Sequence, residues 1–140
     1  MPDLDLNVGD IFLVINLALS GENPHYHIVV HKTEDNRILV VHTTKEIEKV
    51  KIRCRNREKI KFDYIEPDTA IVINPSDSET FDIKCVIDCN KAQLKPISFF
   101  TSKYEFKIRS PLKDITIINK IKQGILKSPV IEEVVKKLLR

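Results

Sequence analysis

All four histidines of this chain, His25, His27, His31 and His42, fall within one stretch of eighteen residues. Imidazole changes charge near neutral pH, so two of them can give and take protons in one reaction. In an extended strand His25, His27 and His31 project from one face. Three readings fit the cluster, and the residues alone leave all three open. The histidines can be satisfied at a sheet surface and do no chemistry. They can serve phosphoryl transfer without a metal: a base takes the proton of an RNA 2′-OH, an acid protonates the leaving 5′ oxygen, and Thr or Arg donors meet the charge on phosphorus. They can also hold zinc through the His25-Tyr26-His27 pair, although no third ligand stands at a convincing spacing. If strand 26–31 pairs with 37–43 across a five-residue connector, His25 lies opposite Thr43. Thr43 and Thr44 then stand between the histidines and a strongly basic segment.

That segment is the second feature with chemical content. Residues 45–61 hold eight Lys or Arg against three acids, a local net of +5 in a chain whose whole formal charge is +3. Every odd position from 49 to 61 is basic. As a strand, 50–54 would bury Val50, Ile52 and Cys54 and expose Lys51, Arg53 and Arg55, with Arg57 beyond. Charges on that face would recur every ~6.6–6.8 Å, near the phosphate spacing of an extended single strand. These cations are the expected RNA contacts; a solubilising edge strand is the plainer alternative.

Other chemistries are excluded by what is missing. The only glycines are Gly9, Gly21 and Gly124, so no phosphate-cradling loop exists. No serine has a Gly-x-Ser-x-Gly context. Cys54, Cys85 and Cys89 lack disulfide or Cys-x-x-Cys spacing and read as buried reduced thiols. Neither a cofactor nor a metal is expected. The start, Met1-Pro2-Asp3-Leu4-Asp5, does not resemble a signal peptide, and no apolar run nears the ~20 residues of a membrane span. The expectation is a cytoplasmic protein without membrane contact.

The elements that must position these residues are mostly strands. Ile11–Leu17, Tyr26–His31, Arg37–Thr43, Val50–Cys54, Thr69–Asn74, Phe81–Cys89 and Ile97–Ile108 have β-rich composition, the last bent at Thr101-Ser102. Ser20–Pro24 is a loop by its turn residues. After residue 109 the apolar period changes. Ser110-Pro111 and Ser128-Pro129 are helix starts, each followed by an amphipathic stripe. Gly124 either caps the first of these helices or weakens it. The predicted architecture is mainly β, an antiparallel barrel or half-barrel over 1–109 closed by two short helices in 110–140, forming one domain.

The order of parts resembles the MazF/PemK toxins of bacterial toxin–antitoxin systems. The matching stretches are Val8-Gly9-Asp10-Ile11-Phe12-Leu13-Val14, the loop Ser20–Pro24, Pro24-His25-Tyr26-His27-Ile28-Val29-Val30, Leu39-Val40-Val41-His42-Thr43-Thr44, and Val86–Leu94 as the last core strand. That family usually has Arg before Pro at the second strand; here Pro24 is followed by His25-Tyr26-His27. The resemblance implies an SH3-like barrel, a homodimer, a small antitoxin blocking the RNA groove, and metal-independent cleavage of single-stranded RNA. It places Thr43 or Thr44 in the catalytic site, with His25 and His27 where the family has arginine. A non-catalytic nucleic-acid-binding barrel and a gyrase-inhibitor-like toxin are the rival functions.

Overall fold

The computed structural model describes residues 5–15, 25–102 and 105–140. Strands β1 (Ile11–Ile15), β2 (His25–Lys32) and β3 (Arg37–Thr44) lead into helix α1 (Ile47–Arg57). Then follow β4 (Ala70–Ile73), β5 (Cys85–Asp88), β6 (Gln93–Pro96), helix α2 (Ile97–Thr101), β7 (Glu105–Arg109), α3 (Ile115–Leu126) and α4 (Glu133–Leu138). The strands form one antiparallel sheet in the order β4-β5-β3-β2-β1-β7. β6 lies beside the first half of β3, while β5 pairs with Thr43 and Thr44 at its end. No hydrogen-bonded ladder joins β4 to β7 among the described residues, so the sheet is open.

The strands read as nearly continuous apolar runs because both faces are covered. Ile11, Ile28, Val41 and Ile87 enter one core with Ile118, Ile121 and Ile125 of α3, against which Val135 of α4 also packs. Their alternating neighbours Phe12, Val29 and Val40 face the other way, into a second core with Phe100 of α2. Val86 of β5 joins Val50 and Cys54 of α1 in a third cluster on that second side. The sheet therefore has α3 and α4 on one face and α1 and α2 on the other.

Five sequence expectations are corrected. The segment 50–54 is helix, not strand. Ile47, Val50 and Cys54 follow helical spacing and pack on Val86, Ala70 and Val72, leaving Ile52 at 55% exposure instead of buried. The stretch 97–108 divides into α2 and β7, with Phe100 buried in the second core. The strand expected over 81–89 begins only at Cys85. Helix α3 starts at Asp114, whose carboxylate accepts from the Thr116 amide at 2.9 Å, not at Ser110. Ser128 still accepts from the amides of Val130 and Ile131, but α4 itself begins later, after Glu132. All three cysteines are free and buried, though Cys54 lies in α1. The loop Ser20–Pro24, and Asn16 and Leu17 of the first expected strand, lie outside the described residues. No helix among the described residues is long and apolar enough to cross a membrane.

Candidate functional site

The β2–β3 hairpin decides which histidines meet. Its turn is held by Thr33, whose hydroxyl donates to Asp35, and by Arg37, whose Nε donates to Asp35 at 3.0 Å. Asn36 takes the left-handed conformation (φ 63) that asparagine tolerates well. Near the turn His31 pairs with Leu39; a bulge between Val29 and His31 then shifts the register, so that His27 pairs with His42. The register expected from sequence, with His25 opposite Thr43, is thereby corrected: continuing the observed pairing sets His25 across from Thr44. The bulge also splits the cluster. His25, His27 and His42 share the α1/α2 face, whereas His31 stands opposite core residue Leu39, and burial and the Lys122 ammonium of α3 lower its pKa.

Within the trio the three rings have different environments. His27 stacks on Phe12 at 5.2 Å with planes 8° apart, and Phe100 flanks it at 5.6 Å. Its Nδ1 donates to the His25 carbonyl at 3.1 Å. Burial, and next the neighbouring His42, lower its pKa to about 4. His27 is thus neutral at pH 7 and packed as an aromatic side chain, which makes it a structural neighbour of the site. His25 is exposed, and its Nδ1 donates to the Thr43 carbonyl at 3.3 Å, with no partner for Nε2 among the described residues. His42 lies 5.6 Å from His25 between ring centroids. Partial burial lowers the His42 pKa, helped by His25 and Lys91, while Asp88 opposes the shift.

Asp88 is the residue that ties the histidines to the basic helix. The β3–β5 register pairs Thr44 with Val86 and Thr43 with Ile87, so the next step sets Asp88 beside His42. The carboxylate is 4% exposed and accepts from Arg53 Nε at 3.0 Å and Arg57 Nη1 at 3.4 Å. It also accepts from the Asn90 amide at 3.0 Å and from Asn90 Nδ2 at 2.9 Å. Burial alone would raise its pKa; the hydrogen bonds from Asn90 and then Arg53 together outweigh that and hold it below the ordinary carboxylate range. Asn90 extends the network by accepting from Ser128 at 2.6 Å and donating to Thr69 at 3.0 Å. One buried anion thus orients two guanidinium groups whose side chains remain 33% and 34% exposed, with a local excess of positive charge beside His42.

The cationic row expected from sequence is therefore not a row. On a helix its members point in different directions. Arg53 and Arg57, four residues apart, face Asp88 and the histidines. Lys51 is drawn to Glu66 at 2.9 Å and Arg55 to the Ile65 carbonyl at 2.8 Å, away from the site.

The two threonines also separate. Thr43 is buried, and its carbonyl is what meets His25. Thr44 is partly exposed, and its hydroxyl accepts from the Glu46 amide at 3.4 Å. His25, Thr43, Thr44, Lys45 and Asp82 are among the residues that line a cavity of about 530 Å³. No three His, Cys, Asp or Glu donors among the described residues are placed to hold a metal ion. Sequence reading missed His42 as a partner of His25, and Asp88 altogether. An acid ending the buried run Cys85-Val86-Ile87 was the available signal, since a carboxylate there must find cations or amides.

No protein-family model matches this chain, and no curated protein matches it.

Proposed function

We propose that this chain is a toxin-type endoribonuclease that cuts single-stranded RNA by attack of the 2′-OH, with its own side chains supplying both proton transfers. The observation that carries the reading is the His25–His42 pair, 5.6 Å apart and flanked by Arg53. His42, neutral at pH 7 because burial lowers its pKa, takes the 2′-OH proton. The 2′ oxygen bonds to phosphorus, and the bond from phosphorus to the 5′ oxygen breaks. His25, aligned through Nδ1 on the Thr43 carbonyl, serves as the acid and delivers a proton from Nε2 to that leaving oxygen. Lys45 and the Thr44 hydroxyl in the cavity, with the remaining N–H groups of Arg53 and Arg57, stabilise the charge on the phosphorus oxygens. His27 acts only through packing. The MazF/PemK resemblance and its SH3-like barrel belong to the same proposal. The change of partner along β3, from β6 over one half to β5 at its end, is what supports the barrel reading. On this reading the protein works in the cytoplasm as a homodimer, and a small antitoxin protein covers the face that carries His25 and His42.

The test is incubation with single-stranded RNA in the presence of chelator. Fragments ending in 2′,3′-cyclic phosphate are expected, and DNA of the same sequence should survive. His25→Ala and His42→Ala should each slow cleavage by about 10²–10⁴, with little change in RNA affinity. Binding without cutting across varied sequences would replace this reading with a nucleic-acid-binding module. Activity that survives loss of both histidines would remove the proposed acid and base.

A further inference from the structure

The segment that follows α1 carries a second, separate feature. Lys59, with φ 60, reverses the chain at the helix end, where the Ile60 amide donates to the Arg55 carbonyl at 2.9 Å and the Lys59 amide to Asn56 at 3.2 Å. The chain then runs back along α1 and is pinned there by Arg55 on the Ile65 carbonyl at 2.8 Å and Lys51 on Glu66 at 2.9 Å. Glu58 adds a third tie by accepting from the Asp68 amide at 2.7 Å. Between the Lys59 turn and these ties stand Phe62 and Tyr64, 57% and 76% exposed, their ring centroids 5.5 Å apart and their planes tilted by 32°. Such exposure is unusual for two large rings on a braced segment, because they give up burial worth having.

Lys59 and Lys61 flank the rings, both exposed and neither in an ion pair among the described residues. Asp63 is the one acid within 59–65. We propose that Phe62 and Tyr64 form a stacking platform for the bases of a single-stranded RNA, with Lys59 and Lys61 on its phosphates. This rests on the reading that the chain meets RNA, and it adds a binding subsite apart from the His25–His42 pair. The charge pattern selects the occupant. Rings interleaved with charged residues do not make the dry, charge-depleted centre of a protein interface. Stacking accepts that pattern, because each base offers a face to a ring while its phosphates reach the lysines. Bracing the loop on α1 holds the rings in place before binding, so less freedom is lost when a base stacks.

The test uses the whole chain and a short fluorescein-labelled RNA in which every 2′-OH is methylated, so that binding is read without cleavage. Phe62→Ala with Tyr64→Ala should weaken binding by roughly 30-fold or more, at about 5-fold or more per ring. The salt slope should not change, since no charge is removed. Lys59→Gln with Lys61→Gln should lower that slope by about 1.4. Tyr64→Phe should bind as the parent does. Phe62→Trp introduces the chain's only tryptophan, whose emission should be quenched by the same RNA. Parent-like affinity in the double alanine variant, with unchanged circular dichroism, would overturn the platform. So would an oligomer that dissociates on the same substitutions, because the rings would then be a protein interface. The two proposals fail separately. Binding lost with the rings while no RNA is ever cut removes the nuclease and keeps the platform; cleavage with unaltered KM in the double alanine variant does the reverse.

Discussion

His27 makes stability depend on pH in a way that can be worked out from its surroundings. Its ring lies against Phe12 at 5.2 Å, and burial brings its pKa down from 6.5 to about 4. Between those values the unfolded chain binds a proton that the folded chain refuses. Stability from this residue is therefore complete above pH 6.5 and is lost as pH falls toward 4. The full difference corresponds to about 3 kcal/mol, and by pH 4.5 most of it is already gone. His42, also lowered by burial, adds in the same direction. His27→Phe keeps an aromatic ring on Phe12 and removes the titration. It also removes the Nδ1 bond to the His25 carbonyl, a loss of about 1 kcal/mol that is independent of pH. The variant should thus be slightly less stable than the parent at pH 7 and more stable at pH 4.5. Urea unfolding followed by circular dichroism at both pH values measures this. With a slope of about 1–3 kcal/mol per molar urea, the two midpoints should change their separation by roughly 1–2 M. Carboxylate titrations are common to both proteins and cancel in the comparison. If parent and variant lose stability in parallel between pH 7 and pH 4.5, the argument that His27 is buried in its neutral form is wrong.

Three further outcomes follow from the site and its supports. Arg53→Glu should destabilise the fold by about 1–3 kcal/mol, because a second carboxylate then faces buried Asp88; Arg57 limits the loss, and Lys49→Glu, at an exposed position of the same helix, should change stability by less than about 1 kcal/mol. Equal melting temperatures for the two variants would refute the helix geometry. Gly124→Ala should cost about 1–3 kcal/mol despite alanine's helix preference, since the new Cβ would lie 2.6 Å from Cys89 Sγ; adding Cys89→Ala should recover most of it, and a double-mutant cycle without coupling would count against the close approach. Thr44→Ala should slow RNA cleavage with little effect on melting, whereas Thr43→Val should leave cleavage intact because the Thr43 carbonyl does the positioning; the opposite ranking in a cleavage assay would reassign the two hydroxyls.

The sequence by itself determined the central strands and the C-terminal change to helix. Ile11–Ile15, Ile28–Val30 and Ile38–Val41 are apolar at successive positions, and such short β-branched runs suit strands buried on both faces. It also placed the histidines and the basic segment next to each other in the chain. Tertiary structure decided which of them meet. Val50, Ile52 and Cys54 alternate with cations at a strand period, while Ile47, Val50 and Cys54 follow a helical one. Packing on Val86 and pairing of Arg53 and Arg57 with Asp88, more than thirty residues away, settle that choice. The bulge before His31 has no local marker either. It arises where the register fixed by the Thr33–Arg37 turn and the register further along the hairpin differ by one residue. That single-residue slip turns His31 toward α3 and brings His42 beside His25 and His27, because side-chain direction along a strand reverses at every residue.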